Sequence, residues 1–202
     1  MRIGIDFDNT IALYDLPMHR RAVQQGWIES STPASKRLVR DAIRLQDDGE
    51  SKWRGLQVFS YGEGIAEAQA APGALSFLKT CAAHRLPVWV VSHKTEFPNF
   101  GSSTVNLRQV ASDWLQANDF FEASSGLDPS RVYFEDTREA KIERIRRLRL
   151  THFIDDLEET FLHRSFPRRT RQLLLSTHSP ASPGAWTRCS SWGEIERHVF
   201  PG

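Results

Sequence analysis

The stretch RIGIDFDNT at residues 2–10 runs from alternating apolar residues straight into carboxylates. Residues 2–7 read as a buried strand. Four further stretches share that character: PVWVVS at 87–92, RVYFE at 131–135, THFID at 151–155 and RQLLLS at 171–176. PVWVVS is apolar almost without interruption, as a parallel strand covered on both faces must be. Helical periodicity fills the gaps between strands. Leu75, Leu78 and Ala82 mark one face within 73–84. Leu107, Val110, Ala111 and Trp114 mark another within 106–117, and Ile142, Ile145 and Leu148 a third within 138–149. Strands alternating with helices predict an α/β fold with a doubly wound parallel sheet of about five strands. A last helix is expected at 191–199, after a surface loop, SPASPG, at 179–184.

One segment breaks the alternation. Residues 11–72 lie between the first strand and the next helix of the pattern, far more chain than a crossover needs. Helical patterns at 14–27 and 34–48 fall inside it. The second is marked by Val39, Ala42, Ile43 and Leu45, with Ser35 or Thr32 as its cap and Gly49 as its stop. Trp53 to Gly64 mixes aromatics and glycines. We read 11–72 as a small, mainly helical cap insert, and 1–10 with 73–202 as the core domain. Such an insert would roof the site and limit substrate size, with Gln57, Tyr61 and Glu63 as its candidate substrate contacts.

Composition narrows the class. The chain has 202 residues, 40% of them hydrophobic and 25% charged, which suits one ordinary domain with an insert. A net charge of +1 gives no reason to expect a nucleic-acid polymer or an anionic membrane as partner. No apolar run is long enough to span a bilayer, and the first residues lack the layout of a secretory leader. Cys81 and Cys189 are too few for a disulfide framework or a zinc site, so two reduced thiols in a cytoplasmic protein are expected. His19, His84, His163, His178 and His198 show no metal-ligand spacing, and His152 is read as structural. The arginines at 144–149 read as a solvated helix face.

The chemistry gathers at strand ends. Residues i and i+2 of a strand point to one side, so Asp6 and Asp8 emerge together where the first strand stops. Open α/β sheets bind ligands just there, outside the carboxyl ends of their strands. Two converging acids repel unless a cation or a shared proton lies between them. FIDDLEE at 153–159 repeats the device with Asp155 and Asp156. An all-oxygen donor set suits a hard cation, Mg²⁺. Ser92 ends VWVVS, where a hydroxyl can donate to a phosphate oxygen; Lys141 opens the helix KIERIRRL, where an ammonium can neutralise phosphate charge. His93 and Lys94 follow Ser92 at the rim as candidate substrate contacts.

The order DxDxT, strand-end Ser, Lys, strand-end Asp-Asp resembles the haloacid dehalogenase-like hydrolase superfamily, in particular its phosphatase branch with a small helical C1-type cap. The resemblance covers residues 1–10 and about 73–165, with the insert where that superfamily places its first type of cap. It implies a Rossmann-like sheet and a role for each matching residue. Asp6 is then the nucleophile that forms an aspartyl-phosphate. Asp8 is the general acid toward the leaving oxygen and then the base toward water. Mg²⁺ is held by Asp6, the Asp8 carbonyl and one acid of the pair Asp155–Asp156, with Asp156 favoured as the direct ligand. Ser92 bonds the transferring phosphoryl group, Lys141 offsets charge, and Asn9 and Thr10 complete the phosphate cradle.

The resemblance thus implies a Mg²⁺-dependent phosphomonoester hydrolase acting on a small phosphorylated metabolite, a sugar phosphate or a nucleotide. DFDNT and FIDD also occur in relatives of the deoxyribonucleotidases, which keeps a nucleotide open. The presence of Asp8 disfavours carbon dehalogenation, for which members of the superfamily lack the second aspartate. Two other readings share the same residues. One is a phosphotransferase or phosphomutase with Asp6 as nucleophile. The other is a catalytically silent module that binds a phosphorylated ligand. The natural substrate and the oligomeric state stay open at the level of sequence.

Overall fold

The computed structural model describes residues 1–177 and 183–200. Most of the loop expected at 179–184, and His178, lie outside the described residues. In chain order the strands are β1 (Ile3–Ile5), β2 (Ala12–Leu13), β3 (Gln69–Ala70), β4 (Val88–His93), β5 (Val132–Glu135), β6 (His152–Asp155), β7 (Arg171–Leu175) and β8 (Thr187–Cys189). The α-helices are α1 (Asp15–Gln24), α2 (Lys36–Arg44), α3 (Gly49–Tyr61), α4 (Ala74–Ala83), α5 (Leu107–Ala117), α6 (Arg138–Arg147), α7 (Glu158–Leu162) and α8 (Trp192–Val199). Contacts gather the chain into two compact units. One comprises Met1–Ile11, Ala70–Lys94 and Leu115–Gly202; the other comprises Ala12–Gln69 and Thr95–Trp114.

The first unit is built on a six-stranded parallel sheet in the order β5-β4-β1-β6-β7-β8. From β1 the chain steps outward to β4 and β5, then returns to the other side of β1 and continues through β6, β7 and β8. The winding direction therefore reverses between β1 and β6, the topological switch point at which α/β sheets bind their ligands. Ile5 pairs with Val90 on one side and with Ile154 on the other. This register brings Asp6, just past β1, level with the carboxyl end of β6.

Alternation along the strands feeds two cores. Trp89, Val91, Phe153 and Leu174 face one way and pack with Ile142 and Ile145 of α6, Leu150, Phe161 and Phe166. Gly4 sits in this layer between Trp89 and Phe153. A Cβ there would lie 2.3 Å from Leu150 Cδ1 and 2.6 Å from Phe153 Cδ2, so those two side chains occupy the space a larger residue would need. Elsewhere in the unit, α4 and α8 meet through Phe77 and Trp192, with ring centroids 5.2 Å apart.

The sheet holds one strand more than the sequence predicts. β8 is three residues, Thr-Arg-Cys, with Cys189 its one buried position, and is too short to show a period. It pairs in parallel with β7 and is followed at once by α8.

The second unit is helical, with a short pairing of β2 and β3. Met18 and Ala22 of α1, Val39 and Ile43 of α2, and Trp53 and Leu56 of α3 are among its buried apolar residues. Tyr14 and Tyr61 pack edge to face at 4.8 Å. The Asp15 carboxylate accepts the Lys36 N–H at 2.6 Å and ties the start of α1 to α2. Gly49 corrects the sequence expectation. It does not stop the second helix, which ends at Arg44, but opens α3. A Cβ on Gly49 would lie 2.4 Å from the Ile43 carbonyl oxygen, so glycine is required by the close approach of the two backbones. Among the described residues, no helix is long and apolar enough to cross a membrane.

Candidate active site

Every charged residue singled out by the sequence motifs falls in the first unit, at the carboxyl ends of β1, β4 and β6 or on α6. Asp6 follows β1, and its backbone N–H donates to the Ile154 carbonyl at 2.9 Å, which locks the start of the loop to β6. The loop then turns sharply: the Phe7 carbonyl accepts the Ile11 N–H at 2.9 Å, and Asn9 takes a φ of 60°. Asparagine tolerates this left-handed conformation better than most residues. Asp6 is buried, whereas Asp8 and Asn9 are partly exposed.

Lys141 lies in the first turns of α6, whose N-terminus is capped by Thr137 through a 3.1 Å bond from the Ala140 N–H. The helix turns Lys141 inward along with Ile142 and Ile145. Its ammonium donates to Asp6 Oδ1 at 2.6 Å and to Asp155 Oδ2 at 2.7 Å. All three side chains are no more than 5% exposed. Burial opposes the charge on Lys141, but Asp155 and Asp6 outweigh it and hold the ammonium above its ordinary range. Burial also pushes the Asp6 carboxyl up to about 6; Lys141 opposes the rise and Asp155 adds to it. In this cluster desolvation and the charges of neighbouring groups act against one another.

Asp155 Oδ1 accepts the Leu157 N–H at 2.9 Å, so both oxygens of Asp155 have partners within the protein. Asp156 is half-buried. It joins Asp6 and Asp155 in a group whose ligand oxygens all lie within 4.8 Å of one another. Three carboxylates at that spacing form a donor set that suits a hard divalent cation.

Ser92 is buried at the end of β4 and pairs with Phe134 of β5. His93 points the other way, is exposed, and places Nε2 3.1 Å from the Asp136 carbonyl oxygen. Desolvation lowers its pKa despite that contact. Lys94 shares the Ser92 side and is 4% exposed, and its ammonium lies 3.0 Å from Asp8 Oδ2. Its burial differs from the rim position expected of it, and strand alternation carries the signal: residues i and i+2 face one way. The Thr10 hydroxyl is buried with no hydrogen-bond partner among the described residues, while the Thr10 carbonyl accepts the Trp192 Nε1–H at 3.2 Å. The structure thus joins Asp6, Lys141 and Asp155 directly, sets Asp156 beside them, and joins Asp8 to Lys94. Gln57, Tyr61 and Glu63 belong to the second unit, where the Tyr61 ring packs on Tyr14.

No family model matches the sequence. No curated protein matches it either. Solved structures do match in shape. A predicted phosphoglycolate phosphatase from Haemophilus somnus aligns with a TM-score of 0.56 at 12% identity, over 98% of this chain and 97% of that one. A structure described as a dehalogenase gives 0.57 at 10% identity, over 100% and 97%. A haloacid dehalogenase-family hydrolase from Deinococcus radiodurans, with bound phosphate and sodium, gives 0.54 at 11% identity, over 98% and 94%. At such identities the likeness is one of fold: the chain has the haloacid dehalogenase-like fold.

Proposed function

We propose that this chain is a Mg²⁺-dependent phosphomonoester hydrolase acting on a small phosphorylated metabolite. The observation that carries the reading is the Lys141 ammonium bridging Asp6 and Asp155 at the switch point of the sheet. The fold alone is shared with a dehalogenase as well as with phosphatase-like proteins. The residues favour phosphate chemistry, because Asp8 supplies a second carboxyl two residues after the nucleophile.

In this reading an Asp6 oxygen attacks phosphorus in line. The new bond joins Asp6 to phosphorus as the ester P–O bond breaks. Asp8 gives its proton to the leaving oxygen, and the product alcohol departs. Asp8 then takes a proton from water, whose oxygen attacks the aspartyl-phosphate, releases phosphate and restores the Asp6 carboxylate. Lys141 holds the Asp6 carboxylate in place and offsets its charge. Ser92, Asn9 and Thr10 make up the phosphate-binding set; His93 points away from Ser92, and Lys94 lies against Asp8. Asp6, the Asp8 carbonyl and Asp156 would hold Mg²⁺, whose charge lets a carboxylate approach a phosphate and stabilises the transition state. Asp155 supports this set from behind, its oxygens being bonded to Lys141 and Leu157. The Deinococcus hydrolase of like fold holds phosphate and sodium, which is in keeping with this reading.

The test is phosphate release from a panel of sugar phosphates, nucleoside monophosphates and phospho-acids, with Mg²⁺ and with EDTA, beside Asp6→Asn. Metal-dependent release that falls below detection in Asp6→Asn is expected. Undiminished release from Asp6→Asn would overturn the assignment of the nucleophile. Full activity in EDTA would remove the cation from the reaction.

A further inference from the structure

We propose that Lys94 is a positioning residue: it holds the Asp8 carboxyl in the orientation from which Asp8 protonates the leaving oxygen. This rests on the hydrolase reading above and deepens it.

The two lysines of the site divide its acids between them. Lys141 bridges Asp6 and Asp155, while Lys94 reaches Asp8 Oδ2 at 3.0 Å. The Lys94 side chain is 2% exposed and that of Asp8 19%. The ammonium is therefore buried beneath a carboxyl that still reaches solvent. A buried ion pair is weak evidence for stability, since apolar residues of similar volume often serve as well. What such a pair can supply is a fixed direction.

Lys94 is built to supply one, because it is held at both ends. Its backbone N–H donates to the Glu135 carbonyl at 2.9 Å, which anchors its root to the end of β5. Its ammonium lies 5.5 Å from the centroid of the Phe7 ring, close enough for a cation–π contact. Phe7 is fully buried and packs edge-on against Phe134 of β5 at 5.9 Å. Asp8 sits in a β-bridge at the entrance to a turn, just before Asn9 in its left-handed conformation, with its side chain 19% exposed. The anchored lysine sets where the Asp8 carboxyl can point. Position matters here, because misplacing a catalytic group by an ångström can cost about a hundredfold in rate.

The step that Lys94 supports has a defined balance. The Asp8 O–H bond breaks and the proton passes to the ester oxygen as its bond to phosphorus breaks. An alkyl ester needs that proton, because an alkoxide leaves poorly. A p-nitrophenyl ester needs it far less, because p-nitrophenolate is a stable anion. Lys94 therefore has a signature in the dependence of rate on leaving group, which general damage to the fold or to phosphate binding would not produce.

The experiment compares kcat for p-nitrophenyl phosphate and for glycerol 3-phosphate in wild type, Lys94→Met, Lys94→Gln and Lys94→Arg. In Lys94→Met the alkyl ester should lose at least about tenfold more than the aryl ester, a part of the ~10²–10⁴-fold that a general acid contributes. Lys94→Arg should recover much of the ratio, because a cation returns to Asp8. Lys94→Gln keeps a shorter, uncharged polar side chain and takes the place of Lys94→Met should that variant fail to fold. Equal losses on the two esters, or none, would overturn the positioning role. Wild-type protein that releases phosphate from neither these esters nor the wider panel would overturn the hydrolase reading itself, a result distinct from an active enzyme with an unchanged ratio.

Discussion

Asp6, Lys141 and Asp155 show how one side chain can make a site possible. Two buried carboxylates facing each other would be very costly in a low-dielectric interior, and Lys141 bonds to both. Lys141→Met would leave them buried and uncompensated. Removing one partner of such a group costs about 3–5 kcal/mol, so the variant should melt well below wild type, as read by differential scanning calorimetry. A melting temperature equal to that of wild type would mean that Lys141 carries little of the charge balance. The sequence exposed most of this arrangement. Asp6, Asp8, Asp155 and Asp156 stand at ends of apolar runs, where strand chemistry places ligand groups. The Lys94–Asp8 pair was harder to read, because it joins a turn after β1 to residues past β4 and depends on the register between them.

At the scale of elements, β1 is specified by what it lacks as much as by what it carries. Gly4 leaves room for Leu150 and Phe153, which are 3% and 0% exposed and have little freedom to retreat. Gly4→Ala should therefore destabilise by about 1–3 kcal/mol through overpacking, measured by denaturant unfolding. A neutral result would show that the layer can relax. The long elements were legible because burial imposes a pattern, an unbroken apolar run in Val88–His93 and a helical period in α6. α3 was not, since Trp53, Gly55, Phe59 and Tyr61 obscure its helical pattern and Gly49 stands where a helix end is expected. β8 has too few residues for any period.

The whole molecule contains two thiols, Cys81 and Cys189, both fully buried. Burial, helped by Glu196, pushes Cys81 up to about 12. Burial, with Glu194 adding to it, takes Cys189 to about 11. An unfolded thiol titrates near pH ~8.5, so above that pH the unfolded chain binds fewer protons than the native one. The thiol contribution to stability is therefore complete below about pH 8.5 and is lost as pH rises toward the folded values. The denaturation midpoint should fall between pH 8.5 and 11, by urea titration, and the fall should be shallower in a Cys81→Ala/Cys189→Ala protein. The same slope in both proteins would rule out the thiols as its source.

The central place of β1 in the sheet bears on how the chain is made. β1 precedes every other strand among the described residues, yet its partners begin at Val88 and His152. Asp6 meets Lys141 across a sequence separation of 135 residues. β1, with Ile3 and Ile5, must therefore wait until Val88–His93 is made before one edge can pair and until His152–Asp155 before the other can, and unpaired strand edges are where nascent chains associate wrongly. Ribosome-bound intermediates shorter than β6 have no completed sheet centre, and a chain released before that point carries an edge of β1 uncovered.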